Sequence, residues 1–164
     1  MLASEGDSLI GLWFEEQKYY LGSLREKTVE KSGISIFEHT KQWLNRYFMG
    51  EKPEAGELTL APSGGAFRQA VWKLLLEIPY GEVSTYGEIS RKLAAGRGVE
   101  KMSAQAVGGA VGHNPISIII PCHRVVGTNG SLTGYAGGIE KKVKLLIHEG
   151  VETDEFFEPK KRIR

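Results

Sequence analysis

The 164-residue chain contains a single cysteine, Cys122, which lies between Pro121 and the pair His123–Arg124. A thiol attacks as its thiolate, and near neutral pH a thiolate needs a nearby base or a positive environment. The neighbouring histidine could supply that base, which makes Cys122 a candidate nucleophile. The alternative is that Cys122 is inert, since a lone cysteine is most often a small core residue.

Further titratable residues favour the reactive interpretation of Cys122. Adjacent side chains diverge, so we expect His123 to reach the sulfur through one water molecule. Glu149, near the end of a predicted helix, could orient the imidazole, although it could equally be an exposed helix terminus. Asn114 precedes Pro115 and is expected to form a turn by bonding to the backbone.

The composition is that of an ordinary globular chain, 41% hydrophobic and 25% charged. Its length allows one domain or two small ones. No stretch reaches the roughly 20 apolar residues of a membrane span, and MLASEGDSLIG lacks the order of a secretion signal, so a cytoplasmic location is expected. One cysteine and four scattered histidines exclude an internal disulfide and a zinc-finger site, so we expect neither a metal nor a cofactor.

The net charge of +1 is unevenly distributed along the chain. Residues 1–64 contain 7 Lys and Arg against 10 Asp and Glu, whereas residues 86–150 contain 8 against 4. The basic later part is compatible with a nucleic-acid partner, but solvated basic faces are common in proteins. Charge alone leaves both interpretations open.

The elements that position these residues can be predicted from apolar spacing. The first twenty residues, with LIGLWF, indicate a strand or a hairpin. Residues 37–48 carry a helical stripe of Phe37, Thr40, Leu44, Tyr47 and Phe48. Residues 51–65 are rich in Pro and Gly and have no periodicity, so they predict a linker and a domain boundary between residues 64 and 65.

The pattern after the linker is helical. An apolar face predicts a helix over residues 67–78 that ends before Pro79. A second helix begins at a capping box formed by Thr85 and Glu88, and a third begins near Ser103. Two short helices joined by a glycine-containing turn in a basic segment suggest a helix-turn-helix.

The third helix, SAQAVGGAV, consists mostly of small residues, and Gln105 is its one long polar side chain. Such a surface cannot read much base sequence in the major groove. Small residues do allow close approach, either to DNA in the minor groove or to another helix of the same protein. The pattern alone favours packing within the protein.

The segments around the cysteine have distinct characters. Residues 115–121 form a short apolar run that we expect to be buried and to hold Cys122 rigidly. A glycine-rich loop follows at residues 128–138, and then a helix that ends at Gly150. The last residues, 156–164, are expected to form a frayed, charged end.

These motifs resemble the active-site region of the O6-alkylguanine-DNA alkyltransferases, also called methylated-DNA–protein-cysteine methyltransferases. The resemblance is carried by AVGGAVGHNP and IPCHRV, by YAGG and HEG after them, and by FRQAVW and IPYGEVSTY before them. It covers about residues 65–150 strongly, and the first 64 residues loosely through LWF and QWLNRYF.

The resemblance implies repair of O6-alkylguanine in DNA, with a range that could include O4-alkylthymine, by irreversible transfer of the alkyl group to Cys122. His123 would be the water-bridged base and Glu149 its partner. Asn114 would lock the turn before the active-site segment. Tyr86 would help to rotate the nucleotide out of the duplex and would donate a proton towards guanine N3.

Further positions would line the substrate pocket or contact DNA. Val125 and Tyr135 match pocket-lining positions, and the backbone amide of Ala136 falls where guanine O6 is bound. The residues expected to contact double-stranded DNA are Ser103, Ala104, Gln105, Ala106 and Thr128. Because the resemblance implies DNA as the partner, the favoured interpretation of the small-residue helix changes. Docking in the minor groove is now favoured over packing within the protein. The protein is expected to act as a monomer and to have no membrane partner.

The resemblance also implies an α+β fold of two domains. Residues 1–64 would form a small ribonuclease H-like α/β domain with an antiparallel sheet. Residues 65–164 would form a mostly helical, winged-helix-like domain that contains the helix-turn-helix and the thiol. Two rival functions remain: an alkyltransferase-like protein that binds lesions without repair, which would lack the acceptor cysteine, and a cysteine hydrolase, whose histidine is typically remote in sequence.

Two features depart from the family pattern. Gln105 stands where an arginine that inserts into the DNA stack is common. Members usually have another strand before the region that matches LASEGDSLIGLWF, so the amino-terminal sheet is expected to lack an edge strand. Some members have a zinc site. This sequence lacks the ligand cysteines of that site, so we expect the site to be absent.

The first departure predicts that Gln105→Arg tightens DNA binding, because arginine adds a charge and a stacking surface that glutamine lacks. A salt titration of duplex binding should show higher affinity and a salt slope steeper by about one phosphate contact. Gln42→Arg, which adds the same charge in the amino-terminal part, is the matched control. Unchanged or weaker binding by Gln105→Arg would contradict the prediction.

Overall fold

The amino-terminal residues form a hairpin, as predicted. The computed structural model describes residues 1–24 and 28–159, so residues 160–164 of the predicted frayed end lie outside it. Strands β1 (Leu2–Glu5) and β2 (Ser8–Leu12) pair antiparallel, with Leu2 opposite Leu12 and Glu5 opposite Ser8. In the described part of the chain, this antiparallel sheet has two strands.

Strand β2 also pairs with two distant segments. The Leu9 amide donates to the Thr59 carbonyl and the Leu9 carbonyl accepts from Ala61, both at 2.8 Å. Further along, the Leu12 amide donates to Pro115 at 2.8 Å and its carbonyl accepts from Ser117 at 2.9 Å. The hairpin is therefore bonded directly to the segment that precedes Cys122.

Helix α1 (Ser35–Phe48) buries a face that differs by one residue from the predicted stripe. Its buried residues are Ile36, Thr40, Trp43 and Tyr47. Phe48, predicted to lie on the stripe, is 53% exposed. Because the buried face includes Trp43, its indole can donate to the Glu54 carbonyl at 2.9 Å. This bond attaches the segment after α1 to the buried side of the helix.

In the described part of the chain, the first three α-helices after residue 65 lie within residues 66–112. They are α2 (Ala66–Leu76), α3 (Tyr86–Arg97) and α4 (Ala104–Gly112). Helix α3 has the predicted capping box: the Thr85 hydroxyl accepts from the Glu88 amide at 3.1 Å, and the Glu88 carboxylate accepts from the Thr85 amide at 2.8 Å. It ends at Gly98, whose φ of 64° is the left-handed conformation common after a helix.

Helix α4 packs on one side and is exposed on the other. Val107, Ala110 and Val111 are buried, and the Trp72 indole donates to the Ala110 carbonyl at 2.9 Å. Residues 103–106 are exposed. The small residues thus serve internal packing and still leave the amino-terminal turn of the helix open to a partner.

The last helix, α5 (Ile139–His148), ends as predicted just before Gly150. Strands β3 (Ser84–Thr85) and β4 (Val125–Val126) form a short parallel pair. Contrary to the prediction of a frayed end, the Phe157 amide donates to Gly130 at 3.2 Å and its carbonyl accepts from Leu132 at 2.9 Å.

One apolar cluster joins the parts of the chain before and after residue 64. It includes Leu9 and Trp43 from the first part, and Trp72, Ile120 and Leu145 from the second. The predicted mixed α/β architecture is confirmed. None of the helices within residues 1–24 and 28–159 has the length and apolar character needed to cross a bilayer.

The capping box at α3 predicts that Thr85→Ala lowers the free energy of unfolding by about 1 kcal/mol, because the Glu88 amide loses its acceptor. Urea denaturation monitored by circular dichroism measures this change. Thr59→Ala removes the same atoms from an exposed position outside the helices and should change stability by less than about 0.5 kcal/mol. Equal losses in both variants would contradict the capping role.

Candidate active site

Cys122 begins a single 3-10 turn, Cys122–Arg124, at the end of the buried run. The run does not form a strand. Ile118 has φ +70°, and the Ile119 and Cys122 amides donate to the carbonyls two residues back, Ser117 and Ile120. These tight turns direct the cysteine into the core, where it is only 4% exposed. The prediction that the run is buried is confirmed.

Asn114 positions the sulfur. Its Nδ2 donates to the Ile120 carbonyl at 2.8 Å and to Cys122 Sγ at 3.1 Å, and its Oδ1 accepts from the Ile116 amide at 3.0 Å. The predicted turn former therefore also contacts the candidate nucleophile. Burial raises the pKa of the Cys122 thiol, and the Asn114 hydrogen bond and the charge of Lys142 oppose that rise.

His123 faces Glu149 rather than Cys122. The imidazole is fully buried, and its Nε2 lies 2.7 Å from Glu149 Oε1. Its Nδ1 has no hydrogen-bond partner among the described residues. Burial lowers the pKa of His123 while Glu149 opposes this, so the imidazole is neutral at neutral pH and can accept a proton.

Within the described residues, Glu149 accepts five hydrogen bonds from four residues. Besides His123, the Tyr47 hydroxyl donates at 2.7 Å and the Gly81 amide at 3.1 Å. The Arg124 guanidinium donates through Nε at 2.8 Å and Nη2 at 3.0 Å. Burial alone would raise the pKa of Glu149, but the bonds from His123 and Arg124 hold it well below its usual range. Glu149 is a buried carboxylate and not an exposed helix terminus.

The candidate pocket residues differ in their burial and in their contacts. The Tyr86 hydroxyl donates to the Thr133 carbonyl at 2.8 Å, and burial followed by the charge of Cys122 raises its pKa to about 12. Tyr135 is buried, and burial and Cys122 raise its pKa too. Val125 is fully buried in β4. The Ala136 carbonyl accepts from the Lys18 amide at 3.0 Å, and Ala136 lines a cavity of about 400 Å³ with Tyr135.

The candidate DNA-contacting residues lie on the surface. Ser103 caps α4 by accepting from the Ala106 amide at 3.2 Å, and residues 103–106, including Ala104 and Gln105, are exposed. Thr128 is exposed as well, and its hydroxyl lies near Gly87 in the first turn of α3. Exposed residues at two helix starts are thus available to a partner.

Sequence reasoning missed three members of the site. Tyr47 and Arg124 bind Glu149, and nothing in their spacing indicates this. The third, Lys142, is fully buried, donates from Nζ to the carbonyls of Val125 and Thr133, and has a pKa lowered by burial to about 8. A signal for Lys142 did exist, because it falls on the helical stripe of Ile139 and Val143.

The described residues contain no group of three or more His, Cys, Asp or Glu side chains that could hold a metal ion. What they bring together is a buried thiol, a neutral imidazole on a buried carboxylate, and a cavity between α4 and the loop at residues 133–138. A buried thiol held by an amide and followed by an imidazole–carboxylate pair is typical of the class of proteins with a nucleophilic cysteine.

Comparison with known proteins identifies the family within that class. Residues 66–151 match the model of the 6-O-methylguanine DNA methyltransferase, DNA binding domain. The methylated-DNA–protein-cysteine methyltransferase of Haemophilus influenzae is 42% identical over 151 residues, which cover 92% of this chain and 80% of that protein. The chain therefore belongs to the methylated-DNA–protein-cysteine methyltransferase family, which confirms the resemblance found in its sequence.

Solved structures agree with this assignment. The crystal structure of Mycobacterium tuberculosis OGT in complex with DNA is 42% identical, with a TM-score of 0.75 over 94% of this chain and 86% of that one. The O6-methylguanine-DNA methyltransferase of Pyrococcus kodakaraensis is 33% identical, with a TM-score of 0.60 over 76% and 68% of the two chains.

Lys142 generates a pH-dependent prediction. An unfolded lysine titrates near 10.4, so between about pH 8 and that value the unfolded state binds more protons and stability rises with pH. We expect the free energy of unfolding of the wild type, relative to Lys142→Met, to rise by roughly 3 kcal/mol between about pH 7 and about pH 10.5.

Urea denaturation at several pH values measures this difference. Lys144→Met, on the exposed side of the same helix, is the matched control and should follow the wild type. Parallel pH profiles for the wild type and Lys142→Met would show that the lysine does not titrate in this range.

Proposed function

We propose that this chain repairs O6-alkylguanine in DNA by transferring the alkyl group to Cys122, once per protein molecule. The observation that carries the proposal is the buried Cys122 thiol, held at 3.1 Å by Asn114, beside the His123–Glu149 pair. Relatives from several organisms are named methylated-DNA–protein-cysteine methyltransferase, and the similar M. tuberculosis protein has been crystallised with DNA.

Activation of the thiol requires that its proton leave a buried site. His123 is neutral and its Nδ1 is the nitrogen that Glu149 does not occupy. A water molecule between Sγ and Nδ1 would pass the proton from the thiol to the imidazole. The Glu149 carboxylate, kept charged by Arg124, then stabilises the imidazolium that forms.

The transfer itself is an in-line displacement. The Cys122 thiolate forms a bond to the alkyl carbon as the bond from that carbon to guanine O6 breaks. The electron pair returns to the guanine, and Tyr86, whose hydroxyl is protonated at neutral pH, donates its proton towards N3. The Ala136 amide supports O6, while Val125 and Tyr135 line the pocket. The thioether product has no good leaving group, so the protein is consumed.

Delivery of the base to a buried thiol requires that it leave the duplex, at a cost of a few kcal/mol. We assign DNA contact to the exposed residues Ser103, Ala104, Gln105 and Ala106 of α4 and to Thr128. Apart from Gln105, these residues have small side chains, which suit docking in the minor groove without sequence readout. Helices α3 and α4 then act as a helix-turn-helix.

The finer architecture is also part of the proposal. Residues 1–64 correspond to a ribonuclease H-like domain and linker, and residues 65–164 to a winged-helix-like DNA-binding domain. The protein acts as a cytoplasmic monomer. Support comes from the hairpin β1–β2 before the boundary and the succession of α2, α3 and α4 after it.

The test is incubation with an oligonucleotide duplex that contains O6-methylguanine, followed by measurement of the intact protein mass. We expect the mass of one added methyl group, located on Cys122 and absent from the isosteric control Cys122→Ser. Binding without a change of mass would instead favour a lesion-binding protein. Several products per protein molecule would favour a cysteine hydrolase.

A further inference from the structure

Two buried polar atoms of the site have no hydrogen-bond partner among the described residues. They are Nδ1 of His123 and the hydroxyl oxygen of Tyr135. The His123 side chain is fully buried, and Tyr135 is only 8% exposed. Buried polar groups in folded proteins nearly always have a partner, because a group left without one is costly in free energy. The two atoms therefore indicate a polar partner that the described side chains do not supply.

The two atoms have complementary hydrogen-bonding properties. Nε2 of the neutral His123 ring lies 2.7 Å from Glu149 Oε1, which is an acceptor. Nε2 therefore carries the ring proton, and Nδ1 is left as an acceptor. Burial, followed by the charge of Cys122, raises the pKa of Tyr135 well above its usual value, so its hydroxyl keeps its proton and remains a donor. The site thus has one spare acceptor and one spare donor.

Charge interactions place the Tyr135 hydroxyl in the same part of the core as His123. It interacts with Cys122, the residue before His123, and with Tyr47. The Tyr47 hydroxyl donates at 2.7 Å to Glu149 Oε1, the same oxygen that His123 faces. Cys122 and Tyr135 also belong to one buried cluster. The Tyr135 hydroxyl therefore lies near the groups that flank the imidazole.

The protein groups around the Tyr135 hydroxyl do not satisfy it. Lys142 Nζ lies 6.0 Å from the centre of the Tyr135 ring, but it donates to the carbonyls of Val125 and Thr133. Within the described residues, the hydroxyl makes no hydrogen bond to the Cys122 sulfur either. A water molecule is the smallest polar group that can connect the two atoms, and buried waters typically make about three hydrogen bonds.

The loop after Tyr135 fixes the direction of its ring. A Cβ atom at Gly137 would lie 2.8 Å from Tyr135 Cε1, so the ring packs directly on that glycine. The Gly138 amide donates to the Tyr135 carbonyl at 3.1 Å. A side chain that orders a reacting water must itself be held in one orientation, and these contacts provide that support.

We propose that the Tyr135 hydroxyl holds the water molecule that carries the proton from Cys122 to His123. The proposal rests on the proposed transfer to Cys122 and gives the hydroxyl a role beyond lining the pocket. The water accepts from the Tyr135 hydroxyl and from the thiol, and it donates to His123 Nδ1. As the thiol proton moves to the water, one proton of the water moves to Nδ1, and Tyr135 keeps its own. Tyr135 is therefore a positioning residue.

The first test removes only the hydroxyl, with Tyr135→Phe, and measures stability in the absence of DNA. If the hydroxyl had no partner, its removal from the core would raise the urea midpoint of unfolding. If the hydroxyl is bonded to a buried water, its removal leaves that water with one partner fewer. We therefore expect the urea midpoint of Tyr135→Phe to lie below that of the wild type. An unchanged or higher midpoint would overturn the proposal.

The second test measures methyl transfer to Cys122 by intact mass, with an excess of duplex that contains O6-methylguanine at several concentrations. A poorly held water slows the proton transfer, so we expect the limiting rate of Tyr135→Phe to fall at least about tenfold. The duplex concentration at half-maximal rate should change less than about twofold, because the ring that lines the pocket remains. Tyr20→Phe removes a hydroxyl from a ring that packs on Trp13, and this matched control should keep the wild-type values.

The results distinguish this role of Tyr135 from the proposed function. If Tyr135→Phe keeps the limiting rate and needs more duplex, Tyr135 only lines the pocket, and the role of its hydroxyl is rejected. Wild-type values for both quantities reject that role as well. In both cases methyl transfer by the wild type leaves the proposed function standing. If the wild type transfers no methyl group to Cys122, the proposed function and the role of Tyr135 fail together.

Discussion

The buried carboxylate of Glu149 is the interaction on which the site depends. A charge in the core is tolerated only when it is paired and fully hydrogen-bonded, and removal of one partner from such a pair typically costs about 3–5 kcal/mol. Here the donors come from α1, from the turn at Gly81 and from the turn that begins at Cys122. The need to satisfy one carboxylate therefore brings three distant parts of the chain to the same point.

The environment of the Cys122 thiol differs from that of Glu149. Cys122 and Asn114 are neutral, and the buried cation near them, Lys142, is held by backbone carbonyls. Burial raises the pKa of the thiol and lowers that of the lysine, so both groups are biased towards their uncharged forms. The sulfur thus remains a protonated thiol until a base removes its proton, which is the role proposed for His123.

Local patterns in the sequence predicted the elements better than the contacts between them. Three predictions were correct because each depends on residues close in sequence: the hairpin, the capping box at Thr85 and the end of α5 near Gly150. The buried face of α1 differs by one residue from the predicted face, because the burial of Trp43 depends on Glu54, which lies outside the helix. His123 and Glu149 were proposed as a base and its partner from their residue types, and the family resemblance implied the same roles. The bond from Tyr47 to Glu149 spans 102 residues and has no periodic signature.

The strained turn before Cys122 has a consequence for the stage at which the thiol becomes reactive. Ile118 is β-branched and left-handed, a conformation that costs on the order of 1–3 kcal/mol and that only a completed core imposes. A chain that is still folding lacks this turn, and with it the contact to Asn114 and the pairing of His123 with Glu149. The thiol, its amide donor and the imidazole–carboxylate pair therefore come together only in the folded chain.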